Sequence, residues 1–227
     1  MNNKLISLKG ISKVFKVGDE DFTALIDVNL EIDSGAFMSF VGPSGSGKTT
    51  LLNLIGGLDI PTTGDLFFKN IKLSSMTRNQ MAQYRRENIG FIFQTYNLLP
   101  VYSVYENVLF PLLLNGSKEK DAQDRVMDIV NKVGLSDQIK KRPSQLSGGQ
   151  CQRVAIARAL VKDPVLILAD EPTANLDSKN SIQILELMSD LNKQYKAAVV
   201  FSTHDEKVTR YVRREIGLED GKIISDK

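Results

Sequence analysis

Short apolar runs rich in Val, Ile and Phe alternate along the chain with longer stretches whose apolar residues recur at helical spacing. That alternation predicts an α/β fold with at least part of its sheet parallel. Residues 5–8, 14–17, 25–32, 37–41 and 66–68 read as strands. The near-alternation over 24–32 is that of a sheet with one wet face, so these strands form an antiparallel piece leading into a mixed core. Residues 89–93, 165–169 and 197–202 are compact apolar runs bounded by polar or turn residues, as buried parallel strands are, and they form the predicted centre of the sheet. Helices are predicted over 48–55, 78–86, 104–114, 118–133, 150–162 and 178–196. Gly134 reads as the C-terminal cap of the fourth, Ser147 as the N-cap of the fifth, and Asp163-Pro164 as its stop. Between 95 and 143 the pattern is helical with no strand. The chain therefore reads as one domain over 1–227, with 1–94 and 144–227 as its core and 95–143 as a helical insertion.

Composition narrows this little but usefully. The chain has 227 residues, 42% apolar and 25% charged, enough to bury a substantial core and far from the balance of a disordered chain. Lys plus Arg is 29 against 27 for Asp plus Glu, a net +2, so no strong field is available to hold nucleic acid or an anionic membrane, and no nucleic-acid partner is expected. The one cysteine, Cys151, cannot close an intramolecular bridge, and MNNKLISLKG lacks the apolar core of a signal peptide, so the expected compartment is the reducing cytosol. The most apolar long stretch, 98–114, is short for a membrane span and carries Pro100, Glu106, Asn107 and Pro111.

The chemistry begins at Gly42, Pro43, Ser44, Gly45, Ser46, Gly47, Lys48 and Thr49, with Thr50 beside them. This GPSGSGKT string matches the phosphate-binding loop pattern and sits where the pattern requires, between the strand-like AFMSFV and the helical TTLLNLI. Its glycines let successive backbone N–H groups converge on the phosphates of a nucleotide, and the helix N-terminus adds a favourable dipole. Lys48 would reach the β and γ phosphates, and the Thr49 hydroxyl would ligate Mg²⁺. The run VLILADE then ends a buried strand on two carboxylates. Asp170 would hold Mg²⁺ directly or through water, and Glu171 would polarise the water that attacks the γ-phosphate of ATP.

A second glycine motif, Leu146-Ser147-Gly148-Gly149-Gln150, opens the fifth helix and reads as a second anion site at a helix N-terminus. Together with the phosphate loop and the VLILADE strand, LSGGQ resembles the signature of the ATP-binding cassette family. The resemblance runs from LISLKGISKVF to LEDGKI, and it implies the ABC ATPase fold: a P-loop NTPase core whose mixed sheet has central parallel strands, an antiparallel β part and a helical insertion. It implies a head-to-tail homodimer in the ATP-bound state, in which Ser147, Gly148, Gly149 and Gln150 cap the ATP held by the other copy. Gln94, closing IGFIFQ, resembles the glutamine that touches Mg²⁺ and the attacking water. Asp177, in Asn175-Leu176-Asp177, resembles the loop that crosses the dimer interface. His204 in FSTHD, the one histidine of the chain, resembles the residue that contacts the γ-phosphate. Phe15 occupies the place of the adenine-stacking aromatic, usually Tyr, where it keeps the π-face and loses the hydroxyl; the lesser alternative is a core residue of a strand.

Within that family, LLNLIGGLD, IGFIFQTYNLLP, SVYENVLFPLLL and RPSQLSGGQ resemble the subunits of lipoprotein-releasing and macrolide-exporting complexes, the LolD and MacB type. The implied partner is an integral membrane permease subunit docking near Gln94 to Tyr105, with this chain peripheral at the cytoplasmic face of the inner membrane. The apolar LLPVY and VY stretches there are either the core face of the insertion or a groove for that partner. A single-cassette ATPase that regulates a membrane partner without transport, as in cell division, fits the same motifs. Cys151 departs from the polar residue usual after LSGGQ. A place at a helix N-terminus would ease thiolate formation, but the reading preferred is the plainer one of a tolerated small replacement.

Overall fold

The computed structural model describes residues 4–204 and 206–227. In chain order its elements are β1 (Lys4–Val17), β2 (Glu20–Asp33), β3 (Phe37–Val41), α1 (Lys48–Ile55), β4 (Thr63–Phe68), β5 (Ile71–Lys72), α2 (Arg78–Asn88), β6 (Ile89–Ile92), α3 (Val104–Leu114), α4 (Glu119–Lys132), α5 (Gly148–Leu160), β7 (Leu166–Asp170), α6 (Ser178–Tyr195), β8 (Ala198–Thr203), α7 (Glu206–Thr209), β9 (Arg214–Glu219) and β10 (Lys222–Asp226). Two units form: the described residues of Met1–Arg85 with Ala198–Lys227, and Arg86–Ala197.

In the first unit, an antiparallel sheet runs in the order β2-β1-β4-β5. β1 is one strand of 14 residues where the hydrophobic pattern predicts two short ones. The polar stretch between them stays in the sheet through a bulge: Gly10 adopts φ 62, the register with β2 shifts on both sides of Ile11, and the Asn29 side chain accepts the Gly10 N–H at 2.8 Å. β2 likewise starts at Glu20, earlier than predicted, because its pairing with β1 runs to the Val17–Glu20 hairpin end. The unit's other strands place β3 between β8 and β9, parallel to both, with β10 antiparallel to β9. The apolar runs do not predict β9 and β10. Asp220 and Gly221, at φ 46 and 76, make the two-residue turn that joins Glu219 to Lys222. Phe37, Phe40 and Phe201 are fully buried, and the Phe37 and Phe201 rings meet edge to face at 5.0 Å.

In the second unit β6 and β7 run parallel, from Ile89 opposite Leu166 to Ile92 opposite Ala169. β6 ends one residue before the predicted Phe93. The 95–143 stretch holds α3, α4 and two short 3₁₀ turns and no strand, as the pattern predicts. Ser103 and Glu106 close a capping box at the start of α3. Gly134, at φ 73, follows α4. α5 begins at Gly148, two residues earlier than predicted, because Ser147 is its N-cap, and it ends at Leu160 ahead of Asp163 at φ 52 and Pro164. The fold is α/β, with parallel strands at the core, an antiparallel part and a helical insertion.

Candidate nucleotide site

β3 delivers the chain directly into the phosphate loop, and α1 carries it away. Gly47 stands at the N-cap of α1 with φ 103, a conformation an L side chain rarely adopts, and a Cβ there would lie 2.7 Å from the Ala24 carbonyl oxygen. The buried Lys48 ammonium donates to the Gly42 and Pro43 carbonyls, both at 2.8 Å, which folds the loop around its own lysine. Ser46 Oγ is buried with no hydrogen-bond partner, an orphaned group inside the loop. No acidic residue occupies the first turn of α1, so its positive end is not neutralised locally. Pro43, Ser44, Gly45 and Thr49 are exposed, and Gly42 and Thr50 half-buried.

Two further candidates lie in the same unit. Val41 pairs with Thr203, so Gly42 and the exposed His204 are the next residues along neighbouring parallel strands, at the carboxyl edge where α/β sheets place ligands. Asp205, which completes the FSTHD motif, lies outside the described residues. The Ala24–Leu25 segment that walls Gly47 belongs to β2, where Leu25 pairs with Lys13 and Phe22 with Phe15. Phe15 is half-buried, and its pair with Phe22 lies two pairs along the ladder from Lys13–Leu25 at the wall of the phosphate loop.

The second unit collects the carboxylates and the second glycine motif. With Ile92 opposite Ala169, the next residues out are Phe93 with Asp170 and Gln94 with Glu171. Glu171 holds φ 46, left-handed for a non-glycine residue, and its carbonyl accepts the Ala174 N–H at 3.2 Å. Such strain clusters at functional positions. The Asn175 side chain donates to the Gln94 carbonyl at 2.9 Å. Ser147 Oγ accepts the Gln150 N–H at 3.3 Å, and Gln150 Oε1 accepts the Ser147 N–H at 2.9 Å, so the Gln150 side chain is committed to capping its own helix. A Cβ on Gly149 would lie 2.9 Å from Asn180 Oδ1, and Asn180 in turn donates to both carboxylate oxygens of Asp177, at 2.9 and 2.6 Å. The Asn180 N–H, then its side-chain amide, holds the Asp177 carboxyl below the usual carboxylate range. Signature glycines and Asp177 are thereby fixed as one surface.

Several residues that organise this unit carry no motif. Arg158, on α5, donates to the Asn97 and Tyr96 carbonyls at 2.5 and 2.7 Å, and so pins two successive residues at φ 47 and 62 just after Gln94. Asn107 is fully buried; its amide donates to the carbonyls of Leu99, Tyr102 and Ser103 and accepts the Leu99 N–H, all at 2.9–3.1 Å. An arginine and an asparagine interrupting apolar helical runs were the available signals. The segment they shape borders a cavity of about 330 Å³ lined by Phe91, Phe93, Leu99 and Phe110, with Arg158 and Lys162. Phe91 and Phe93 stack at 5.7 Å. The Cys151 thiol is buried, its Sγ lies 3.6 Å from the Pro143 carbonyl, and burial pushes its pKa up, opposing the thiolate that its helix position would ease.

Among the described residues, no group of three or more His, Cys, Asp or Glu could hold a metal ion. The hydroxyl, amide and carboxylate of Thr49, Gln94 and Asp170 are hard donors. Each, taken by itself, is of the oxygen-donor kind that Mg²⁺ takes.

The family described as ABC transporter matches residues 25–174. The chain is 44% identical over 222 residues to the uncharacterized ABC transporter ATP-binding protein YvrO of Bacillus subtilis (strain 168), covering 98% of this chain and 96% of that one. It is 41% identical over 225 residues to the lipoprotein-releasing system ATP-binding protein LolD of Legionella pneumophila (strain Lens), covering 99% of each. Among solved structures, the dimeric post-hydrolysis state of the ATP-binding cassette MJ0796, a Methanocaldococcus jannaschii protein, bound to ADP and Pi, matches with a TM-score of 0.91 at 42% identity over 98% of both chains.

Proposed function

The chain belongs to the ABC transporter family as an ATP-hydrolysing subunit, and we propose that it dimerises around two ATP molecules to drive a separate integral membrane subunit in lipoprotein release or macrolide and peptide export. It works from the cytoplasmic face of the cell membrane as a peripheral protein. The observation that carries this reading is the presence of two differently built phosphate cradles in one chain: a loop closed on Lys48, and the exposed N-terminus of α5 at Ser147 and Gly148. One nucleotide has no use for both from one copy, so the second is offered to the ATP of another copy. The dimer in which MJ0796 was solved supports this.

The roles proposed are those that the motifs and the family resemblance imply. Lys48 and the loop N–H groups hold the β and γ phosphates, and Phe15 stacks on the adenine. Thr49, Gln94 and Asp170 are the residues that would hold Mg²⁺, which would supply neutralisation of phosphate charge. Glu171 takes a proton from the attacking water, and His204 contacts the γ-phosphate. Asp177 and the signature residues complete the site across the dimer.

The membrane subunit docks near Gln94 to Tyr105, in the aromatic cavity beside Leu99 and Phe110. Arg158 couples this floor to the residues following Gln94. Ordering a segment around Mg²⁺ and γ-phosphate is an established way to convert nucleotide state into movement. Co-purification from detergent with identification of the bound partner tests the reading. A four-helix membrane protein with a large extracytoplasmic domain is expected, released by Phe110→Asp. A six-helix permease would contradict the LolD and MacB assignment.

A further inference from the structure

We propose that Lys13 is a positioning residue for the nucleobase: its ammonium backs one face of the Phe15 ring, so that a purine stacks on the other. Lys13 Nζ stands 4.8 Å from the Phe15 ring centroid. The same nitrogen donates to Asp59 Oδ1 at 2.7 Å and to the Ile60 carbonyl at 2.9 Å. An ammonium has three donor directions; a carboxylate, a carbonyl and a π-face take them. Lys13 is only 9% exposed, unusual for a lysine, and a buried ammonium persists where its partners compensate for lost water.

The clamp is rigid from both sides. Thr62 donates its N–H to the Ser12 carbonyl at 2.9 Å, and its hydroxyl accepts the Val14 N–H at 3.0 Å. The segment around Asp59 and Ile60 is therefore stitched to β1 immediately before and after Lys13. The ring lies beside that cation, two pairs along the ladder from the Lys13–Leu25 pair at the wall of the phosphate loop.

The consequence is electrostatic as well as steric. Two stacked aromatic systems oppose negative π-faces, and a cation behind one ring draws its electron density away from the stacking side. Phe15 has no hydroxyl to hold a base by its edge, so its affinity for adenine rests on that face alone. This inference rests on the assignment of Phe15 as the base-stacking residue, and its test separates the two.

Equilibrium binding of ADP, which carries the base, and of inorganic tripolyphosphate, which lacks it, is measured for the wild type and for Phe15→Ala, Lys13→Met, Lys13→Arg and Asp59→Asn. Phe15→Ala is expected to weaken ADP about tenfold or more and to leave tripolyphosphate within about twofold. Lys13→Met is expected to weaken ADP about three- to fivefold with the same selectivity, and Lys13→Arg to recover most of it. Asp59→Asn loosens the clamp while keeping the lysine, and should reproduce the selective loss in weaker form. If Phe15→Ala is selective but Lys13→Met and Asp59→Asn change neither ligand, or both equally, the positioning role is overturned while the stacking assignment stands. If Phe15→Ala is itself not selective, the stacking assignment fails and the role of Lys13 falls with it.

Discussion

At the scale of single residues, the proposed base is Glu171. Its carboxylate follows a buried strand, and its backbone is held left-handed at φ 46, a local cost of about 1–3 kcal/mol that persists only because the surroundings impose it. Glu171→Gln keeps shape and hydrogen-bonding capacity but cannot take a proton. Phosphate release should fall at least about 10²-fold with nucleotide binding retained, and a variant turning over near the wild-type rate would remove Glu171 as the base. Lys48→Ala should instead weaken nucleotide binding itself. Gly47→Ala would add a Cβ 2.7 Å from the Ala24 carbonyl oxygen at φ 103 and is expected to cost about 2 kcal/mol or more in urea unfolding, with loss of nucleotide binding. These positions could be singled out in the sequence because their motifs have fixed spacing, the loop carrying its lysine and hydroxyl side by side. Lys13, Asn107 and Arg158 could not, because each acts on partners the fold brings to it, such as Asp59, 46 residues away from Lys13.

At the scale of elements, the strongly periodic helices and buried strands stood out, whereas β1 and the β9–β10 hairpin did not. A glycine bulge keeps β1 continuous through polar residues, so alternation breaks without the strand ending. The Asp-Gly turn was the readable sign of the hairpin, though its flanks are too mixed to form an apolar run. The loop between β6 and α3 depends on Asn107: Asn107→Leu removes the side-chain partner of the Leu99 N–H and of the Tyr102 carbonyl and should cost about 1–3 kcal/mol by urea unfolding. The groove beside it carries a pH signature. Burial pushes the Lys162 ammonium down to about 8. Below pH 8 the lysine is charged in folded and unfolded chains alike, and its desolvation cost is fully present. As pH rises through 8 toward the unfolded value near about 10.4, the folded chain releases the proton first and the cost is lost. Lys162→Met should therefore be more stable than the wild type at pH 7, with the gap in urea midpoint closing between pH 8 and 10; a gap that stays constant would contradict the buried-ammonium account.

At the scale of the whole molecule, a net charge of +2 leaves no general field for a partner, so the proposed recognition rests on local surfaces: the aromatic groove, and the two proposed phosphate cradles. Among the described residues no helix is long and apolar enough to cross a membrane, and the proposed partner supplies the span. In the proposed dimer the Ser147–Gly149 turn receives the ATP of a second copy. Sedimentation velocity of Glu171→Gln with MgATP and with MgADP tests it most directly, with and without Ser147→Arg, which blocks the cradle. The account predicts a dimer with ATP, a monomer with ADP, and a monomer in both when Ser147→Arg is added, ATP binding by the monomer being retained. An ATP-bound Glu171→Gln chain that sediments as a monomer, or a dimer indifferent to Ser147→Arg, would contradict it.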